Sequence, residues 1–412
     1  MTVETSTTSK PLVRLGPVLL AYAAFVALGM PDGLLGIAWP TMRVDFGVPL
    51  DSLGLLLLAS VTGYMTSSFL SGPLVTRVGV GRVLAISCAL TGIALFGYTF
   101  VPEWWMVVAL GLVAGLGAGA IDAGLNTYAA AHFSPGLVQW LHASYGIGIT
   151  LGPIILTTAL TNFDSWRAGY RLVAGFQLLM AVAFSLTLSL WNDKATDKPE
   201  IGREKLLTEY KTPMAETIRR PRVWLSVSLF FLYVGAEVSL GTWVYSLLTE
   251  SRGIPPSLAG FWTSGYWAMF TLGRILAGLY AKRLGIDLMV QGGVIMALLG
   301  SLLLWWNPIP QANLVAVGLV GLAVAPIFPA MISGTRQRVG AHLAANTIGM
   351  QMAVTGLGGA LIPGLIGVLA RRTSLEIVPV CLTILFLALF GLYRLALISG
   401  ARAAHQEEGY VA

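Results

Sequence analysis

The 412-residue chain is 56% hydrophobic and only 11% charged, with a net charge of +6, four histidines and two cysteines. Soluble domains hold about 45–50% apolar residues, so this balance and the mean hydropathy of +0.77 exclude a soluble globular domain and point to a polytopic membrane protein. Cys88 and Cys381 both fall inside apolar runs, so no disulfide framework is expected.

A spanning helix needs roughly 20 predominantly apolar residues. Twelve such segments are predicted: 17–42, 52–76, 82–101, 105–131, 138–161, 168–192, 223–249, 257–281, 287–306, 312–334, 343–370 and 375–398. The polar residues ahead of the first run have no small-residue cleavage site after it, so helix 1 is expected to insert uncleaved. With both termini cytoplasmic, eighteen of the 25 Lys and Arg residues fall on the inner side, six on the outer side, and Arg274 within a helix. The positive-inside rule therefore orients the chain with cytoplasmic termini, and a bacterial plasma membrane is the expected location. Topology and anionic headgroups explain the basic surplus, and no nucleic-acid partner is expected.

In helix 1, Asp32 lies in GMPDGLLG. Pro31 removes a backbone donor there, and a kink that frees carbonyls for ligands is expected. Helix 2 is followed by GPLVTRVGVGR, from Gly72 to Arg82. Helix 4 carries Asp122 and Asn126 four apart, hence on one face, after a run of small residues that lets a neighbouring helix approach. Helix 5 begins near Gln139 and His142, at a depth similar to Asp122, so an Asp122–His142 proton relay and a plain hydrogen bond between helices 4 and 5 are both open.

The polar segment 193–222 divides the chain into bundles 1–192 and 223–412. Within it Leu206, Leu207, Tyr210, Met214 and Ile218 recur at helical spacing, which fits either a membrane-surface helix or a solvated linker. In helix 7, Glu237 interrupts FFLYVGAEVSLGTW, with Tyr233, Leu240, Gly241 and Val244 on its face. A charged group at the helix centre costs roughly 2.5–3.5 kcal/mol on insertion scales. Such acids are expected to line a wet cavity and exchange protons; a carboxyl that only ties neighbouring helices would look the same in sequence. Arg274 in helix 8 is assigned a gating or structural salt bridge. Asn346 and Gln351 in helix 11 offer neutral amides suited to a polyhydroxylated ligand, and Tyr145, Trp243 and Tyr266 are candidates to stack on a sugar ring.

The halves repeat. Gly72 to Gly79 and Gly278 to Gly285 share the form G-x-x-x-[TK]-R-x-G at an offset of 206 residues, as do Gly29 and Gly235, and Asp32 falls one position from Glu237 by the same offset. Internal repeats with Gly- and Pro-interrupted helices are typical of transporters that rock one half against the other. The chain resembles a major facilitator superfamily transporter over nearly its whole length. The stretch from Gly72 is similar to that superfamily's helix 2–3 loop signature, keeping Gly72, Arg77, Gly79 and Arg82. It departs from it at Thr76, Val80 and Gly81, which weakens the gating salt bridges expected of that loop. GAGAIDAGLNTY, QWLHASYGIGITLGP and the Glu237 segment resemble the fucose:proton symporter (fucose permease) branch and its sodium-dependent glucose transporter-like relatives.

The resemblance implies an all-α membrane protein of twelve transmembrane helices in two pseudo-symmetric six-helix bundles. It also implies that Asp122 and Asn126 belong to a substrate and proton site. The expected function is proton-coupled uptake of a small polar solute, a monosaccharide foremost, with Asp32, Glu237, Asp122 and His142 carrying protons; Na⁺ in place of H⁺ stays open. Asn126, Gln139, Tyr145, Trp243, Tyr266, Asn346 and Gln351 are expected to meet the solute, and Arg274, Gly72, Arg77, Gly79 and Arg82 to gate or support. A proton-coupled exporter, suggested by Gly148 and Pro153 in a partial antiporter pattern, and a transport-inactive sensor remain alternatives. No H-E-x-x-H, G-x-S-x-G, Walker or Cys/His pattern is present, so neither enzyme, metal nor cofactor is expected; the chain is expected to be a monomer.

Overall fold

Residues 15–133, 135–191 and 212–409 are described in the structure, a computed structural model. Twelve helical spans follow one another. α1 is Leu15–Asp45, α2 Leu53–Val78, α3 Val80–Tyr98, α4 Trp104–His132, α5 Pro135–Phe163 and α6 Trp166–Leu186. After a short helix, Met214–Ile218, come α7 Pro221–Ser246, α8 Pro256–Leu284, α9 Ile286–Trp306, α10 Ala312–Val324, α11 Ala341–Arg372 and α12 Ile377–Gly409. No strand occurs among the described residues. In lipid every backbone polar group needs a partner inside its own segment, which selects helices.

Among the described residues, eleven helices are both long and apolar enough to cross a membrane. α8 is the twelfth: at 29 residues it is long enough, but its Trp, Tyr, Ser, Thr and Arg274 dilute its hydropathy. The tenth span differs from the expected single run 312–334. It stops at Val324, turns through Ala325 and Pro326, and resumes as Ile327–Ser333. Pro326 and Pro329 remove two N–H donors in one turn, which an unbroken α-helix cannot absorb.

The internal repeat is realised in the backbone. Gly79 alone separates α2 from α3 with φ +89°, and Gly285 alone separates α8 from α9 with φ +72°. Both lie in the region where a side chain is strained and glycine is not. Residues 192–211, which carry most of the predicted surface helix, lie outside the described residues. The Met214–Ile218 helix is tied to the second bundle by Asn346, whose amide donates to the Thr212 carbonyl and the Thr217 hydroxyl, both at 2.9 Å.

Within the first half, α2 packs on α4, α1 on α5, and α3 on both α4 and α6; within the second, α11 packs on α7, α10 on α8 and α9, and α12 on α7 and α9. The halves meet through α5 with α8, α2 with α11, and α1 with α7. Exposed Leu186, Leu279 and Phe69 on the outer surface suit lipid, not water.

The two ends of the molecule differ. At the end where α1 finishes, Arg43 pairs with Glu250, and Arg371 pairs with Asp51 at 3.1 Å, both across the halves. The backbones also close there: a Cβ added to Gly36 would lie 2.6 Å from the Gly241 carbonyl, and one on Gly54 would lie 3.2 Å from the Gly364 Cα. The halves are therefore tied to each other, by ion pairs and by backbone contact, at the Asp45 end.

Candidate functional site

Three carboxyl groups lie near the middle of their spans, Asp32, Asp122 and Glu237, and each is in hydrogen-bond contact with a tyrosine hydroxyl. Tyr145 on α5 donates to Asp32 on α1 at 2.7 Å, Tyr64 on α2 donates to Asp122 on α4, and Tyr233 contacts Glu237 one turn along α7. A carboxylate is an acceptor only, and the phenol hydroxyl is a neutral donor that satisfies it without a counter-charge. Asn126 completes the Asp122 cluster by donating to its carboxyl oxygen at 2.8 Å.

These groups converge on one interior space. Asp32 is within electrostatic range of Asp122 and Tyr64, Asp122 of His142, and Tyr145 of Asp32, Glu237 and Arg274. Elements α1, α2, α4 and α5 of the first half thus face α7 and α8 of the second. Asp32 is densely surrounded by protein, yet it keeps exposed surface, as does His142, while Asp122, Asn126, Tyr145, Glu237 and Arg274 are half-buried. Polar side chains at mid-span thus retain exposed surface where the two halves meet, and the space between them is called the crevice below.

Arg274 is the cation of this space. Its guanidinium lies over the Phe270 ring, 4.2 Å from the centroid, and its buried Nε has no hydrogen-bond partner. It acts electrostatically on both Glu237 and His142, but among the described residues no carboxylate lies within ion-pair distance of it. The expected salt bridge is absent there, and Arg274 instead faces the crevice. His142 packs edge-on against Phe25 at 5.7 Å between centroids, with Asp122 in electrostatic range and no hydrogen bond between them.

Several sequence candidates lie elsewhere. Trp243 is fully buried, its indole N–H donating to the Pro363 carbonyl at 2.9 Å and its ring filling the space left by Gly367. Tyr266 is also fully buried and donates to the Glu237 backbone carbonyl at 2.8 Å. Neither ring offers a face to the crevice in this conformation. Gln351 is buried between the Ser226 and Thr335 hydroxyls, at 2.8 and 3.2 Å, and Asn346 is spent on the Met214–Ile218 segment, so both amides hold the second bundle together. Gly72 and Gly79 bracket the end of α2, while Arg77 and Arg82 are exposed and make no ion pair among the described residues. Gln139 lies on the first turns of α5.

The carbonyl freed by Pro31 does not await a ligand. α1 runs unbroken through Pro31, and the Ala27 carbonyl takes a hydrogen bond from Gln177 on α6 at 2.8 Å. Sequence reasoning passed over Gln177 and Tyr64; each is a lone polar group in an apolar span, the same signal that marked Glu237.

The sequence model of the Major Facilitator Superfamily matches residues 21–363. The chain is 24% identical over 415 residues to Bypass of stop codon protein 6 of Saccharomyces cerevisiae, covering 93% of this chain and 82% of that one. It is 25% identical over 392 residues to Sodium-dependent glucose transporter 1 of Homo sapiens, covering 85% and 73%. It is 21% identical over 356 residues to Glucose/mannose transporter GlcP of Bacillus subtilis, covering 85% and 87%. Its fold is similar to that of a bacterial homologue of the human lysosomal transporter Spinster in an inward-facing, unoccupied conformation, with TM-score 0.77 at 12% identity over 96% and 99% of the two chains. The nucleoside transporter NupG gives TM-score 0.72 at 14% identity, covering 94% and 99%.

Proposed function

Because the chain belongs to the Major Facilitator Superfamily, we propose that it is a secondary active transporter that couples proton movement to uptake of a monosaccharide by alternating access. The observation that carries this reading is the set of three carboxyl–tyrosine pairs on one crevice between the halves. An acid at mid-span is costly unless water or a partner reaches it, and a carboxyl that gains and loses a proton changes the charge the solute meets. The relatives named as glucose and glucose/mannose transporters support a sugar as cargo.

In this reading the Leu15 end is cytoplasmic, as the distribution of basic residues suggests, and the conformation is inward-open. Asp32, the most exposed of the acids, and Glu237 on the opposite half carry the coupled proton. Asp122 and His142 pass protons toward the open end. Asn126, Gln139 and Tyr145 supply neutral donors and acceptors for sugar hydroxyls, and Arg274 donates to a ring or hydroxyl oxygen from the second half. Release of the proton to the open side leaves Glu237 charged near Arg274 and the solute free to leave. The molecule acts as a monomer.

Uptake of labelled monosaccharides into proteoliposomes, with imposed pH and Na⁺ gradients, tests the reading. Wild type is expected to accumulate a sugar under a proton gradient, and Glu237→Gln to lose accumulation while still exchanging sugar across the membrane. Equal accumulation by both proteins would overturn the assignment of Glu237. A second reading has Na⁺ as the coupling ion at Asp32, favoured by the sodium-dependent relatives; accumulation driven by Na⁺ and indifferent to pH would establish it.

A further inference from the structure

The Tyr233 hydroxyl touches two acceptors: the Glu237 carboxyl and, at 2.8 Å, the backbone carbonyl of Val324. Val324 is the last residue of α10 before the interruption at Ala325 and Pro326. A phenol carries one hydrogen, and a carbonyl cannot donate. The number of hydrogens therefore links the Tyr233–Val324 bond to the charge on Glu237.

With Glu237 protonated, its own O–H donates to the Tyr233 oxygen, and Tyr233 donates onward to Val324. With Glu237 ionised, two acceptors compete for one hydrogen, and the charged one prevails. The Val324 carbonyl then loses its side-chain donor, in the turn where Pro326 and Pro329 have already removed N–H groups. Among the described residues no other side chain donates to Val324. From the elements packed around it, Glu237 faces Arg274 and Tyr266 of α8 and Tyr145 of α5; none of these bridges to α10 as Tyr233 does.

The interruption is placed to pass such a change on. A Cβ on Gly273 would lie 2.6 Å from the Ala325 side chain and 2.8 Å from the Leu322 carbonyl, so the break rests on α8 beside Arg274. Phe328, just past the break, packs edge-on against Phe230 and at a tilt against Tyr233 of α7, at 5.4 and 6.1 Å between centroids.

We infer that Tyr233 is a positioning residue that transmits the protonation state of Glu237 to the break in α10, holding the break ordered when Glu237 is protonated and loosening it when Glu237 ionises. This rests on Glu237 being the coupling acid. It gives the second bundle a local element with two states, biased by one proton.

Hydrogen–deuterium exchange of the 322–332 segment, measured in lipid nanodiscs between pH 5 and pH 9, tests the inference alongside sugar accumulation and sugar exchange in proteoliposomes. Rates are compared as protection, after division by the intrinsic amide rate, which itself rises with pH; on that scale the wild-type segment is expected to lose about tenfold or more protection as pH rises. Tyr233→Phe is expected to exchange fast at every pH, to keep sugar exchange and to lose proton-driven accumulation. Glu237→Gln, which leaves Tyr233 in place, is expected to exchange slowly at every pH. A wild-type pH response persisting in Tyr233→Phe overturns the inference. Should Tyr233→Phe fail to fold, Glu237→Gln still decides: a retained pH response together with lost accumulation overturns the inference and leaves the coupling role standing. Full accumulation by Glu237→Gln removes the coupling role itself.

Discussion

The side-chain amide of Gln177 on α6 donates to the Ala27 carbonyl on α1 at 2.8 Å, four residues before Pro31. Position 31 is where the helix would normally supply that donor, and proline has none. The first half therefore replaces a missing backbone bond with a side chain from another span, and α1 stays continuous past Asp32. Removing the amide strands a buried carbonyl. Gln177→Leu is expected to lower stability by about 1 kcal/mol, at the low end for such a loss, because the unpartnered Gln177 Oε1 leaves with it. In a Pro31→Ala background the backbone N–H returns, and the same substitution should cost close to nothing. A double-mutant cycle on thermal unfolding in detergent reads the coupling; equal losses in both backgrounds would refute it.

Arg43–Glu250 and Asp51–Arg371 join the halves at the Asp45 end, the sealed end of the inward-open reading. The Arg43 and Glu250 side chains are 27% and 28% exposed, so solvent screens them, and each pair is worth about 0.2–1 kcal/mol. Arg43→Gln together with Arg371→Gln should therefore shift the balance between sealed and open by about 2- to 30-fold. Spin labels on the α1–α2 and α7–α8 connections are expected to show a larger long-distance fraction, and the exchanged pair Arg43→Glu with Glu250→Arg should return it toward wild type. An unchanged distance distribution in the double variant would show that backbone packing alone holds this end.

The spans and the repeat were legible because they rest on local physics. Length and hydropathy mark a crossing helix, and the glycines at 79 and 285 mark turns that other residues resist. Glu237 and Asp32 stood out because an acid among apolar residues is expensive. What the sequence did not reveal is which group meets which. Spacing tells which residues share a helix face, so Tyr233 and Glu237 were visibly neighbours, but nothing local says that Tyr64 on α2 reaches Asp122 on α4. Trp243 follows Glu237 by six residues, which turns it about 120° away from that face and into the packing with α11. The amides Asn346 and Gln351 read as ligand groups for the same reason: a polar stripe looks alike whether it meets solute or a neighbouring helix.

Arg252 and Glu376 form a salt bridge at 2.6 Å that closes the second bundle at its Asp45 end, with the Arg252 side chain 5% exposed and Glu376 43% exposed. Arg252 also donates to the Leu304 carbonyl at 2.9 Å and to Asn313. The hydrogen bond from Arg252 holds the Glu376 carboxyl below the usual glutamate range against its partial burial, with Ser251 adding to the effect. A carboxyl lowered by folding contributes stability that is present above its unfolded value, near pH 4.3, and is lost as pH falls through its lower folded value. Wild type is expected to lose stability from about pH 4 downward. Glu376→Gln should flatten that acid slope with little loss at neutral pH, whereas Arg252→Met should flatten it and also cost about 1–3 kcal/mol at pH 7, because the buried acceptors of Asn313 and Leu304 lose their donor. Thermal unfolding across pH 3–7 checks both; a slope unchanged in Glu376→Gln would place the acid-labile group elsewhere.

Gly36 on α1 sets how tightly the sealed end closes. A methyl group there would lie 2.6 Å from the Gly241 carbonyl and 2.9 Å from the Thr242 carbonyl, both backbone atoms of α7 that have no rotamer by which to yield. Overpacking of this kind costs about 1–3 kcal/mol, and the strain exists only while the two halves touch at this end. Gly36→Ala should thus destabilise the sealed arrangement against any state in which α1 and α7 part there, shifting their ratio about 5- to 150-fold. A cysteine placed at Thr41, on the sealed side of Gly36, is expected to react faster with a membrane-impermeant thiol reagent in Gly36→Ala than in wild type, and net sugar uptake is expected to fall because the sealed state is sampled too rarely. Overall stability should change less than accessibility, since the two bundles separate without unfolding. Unchanged labelling at Thr41 with undiminished uptake would show that α1 and α7 relax around the methyl group, and that the closeness of Gly36 to Gly241 does not govern closure.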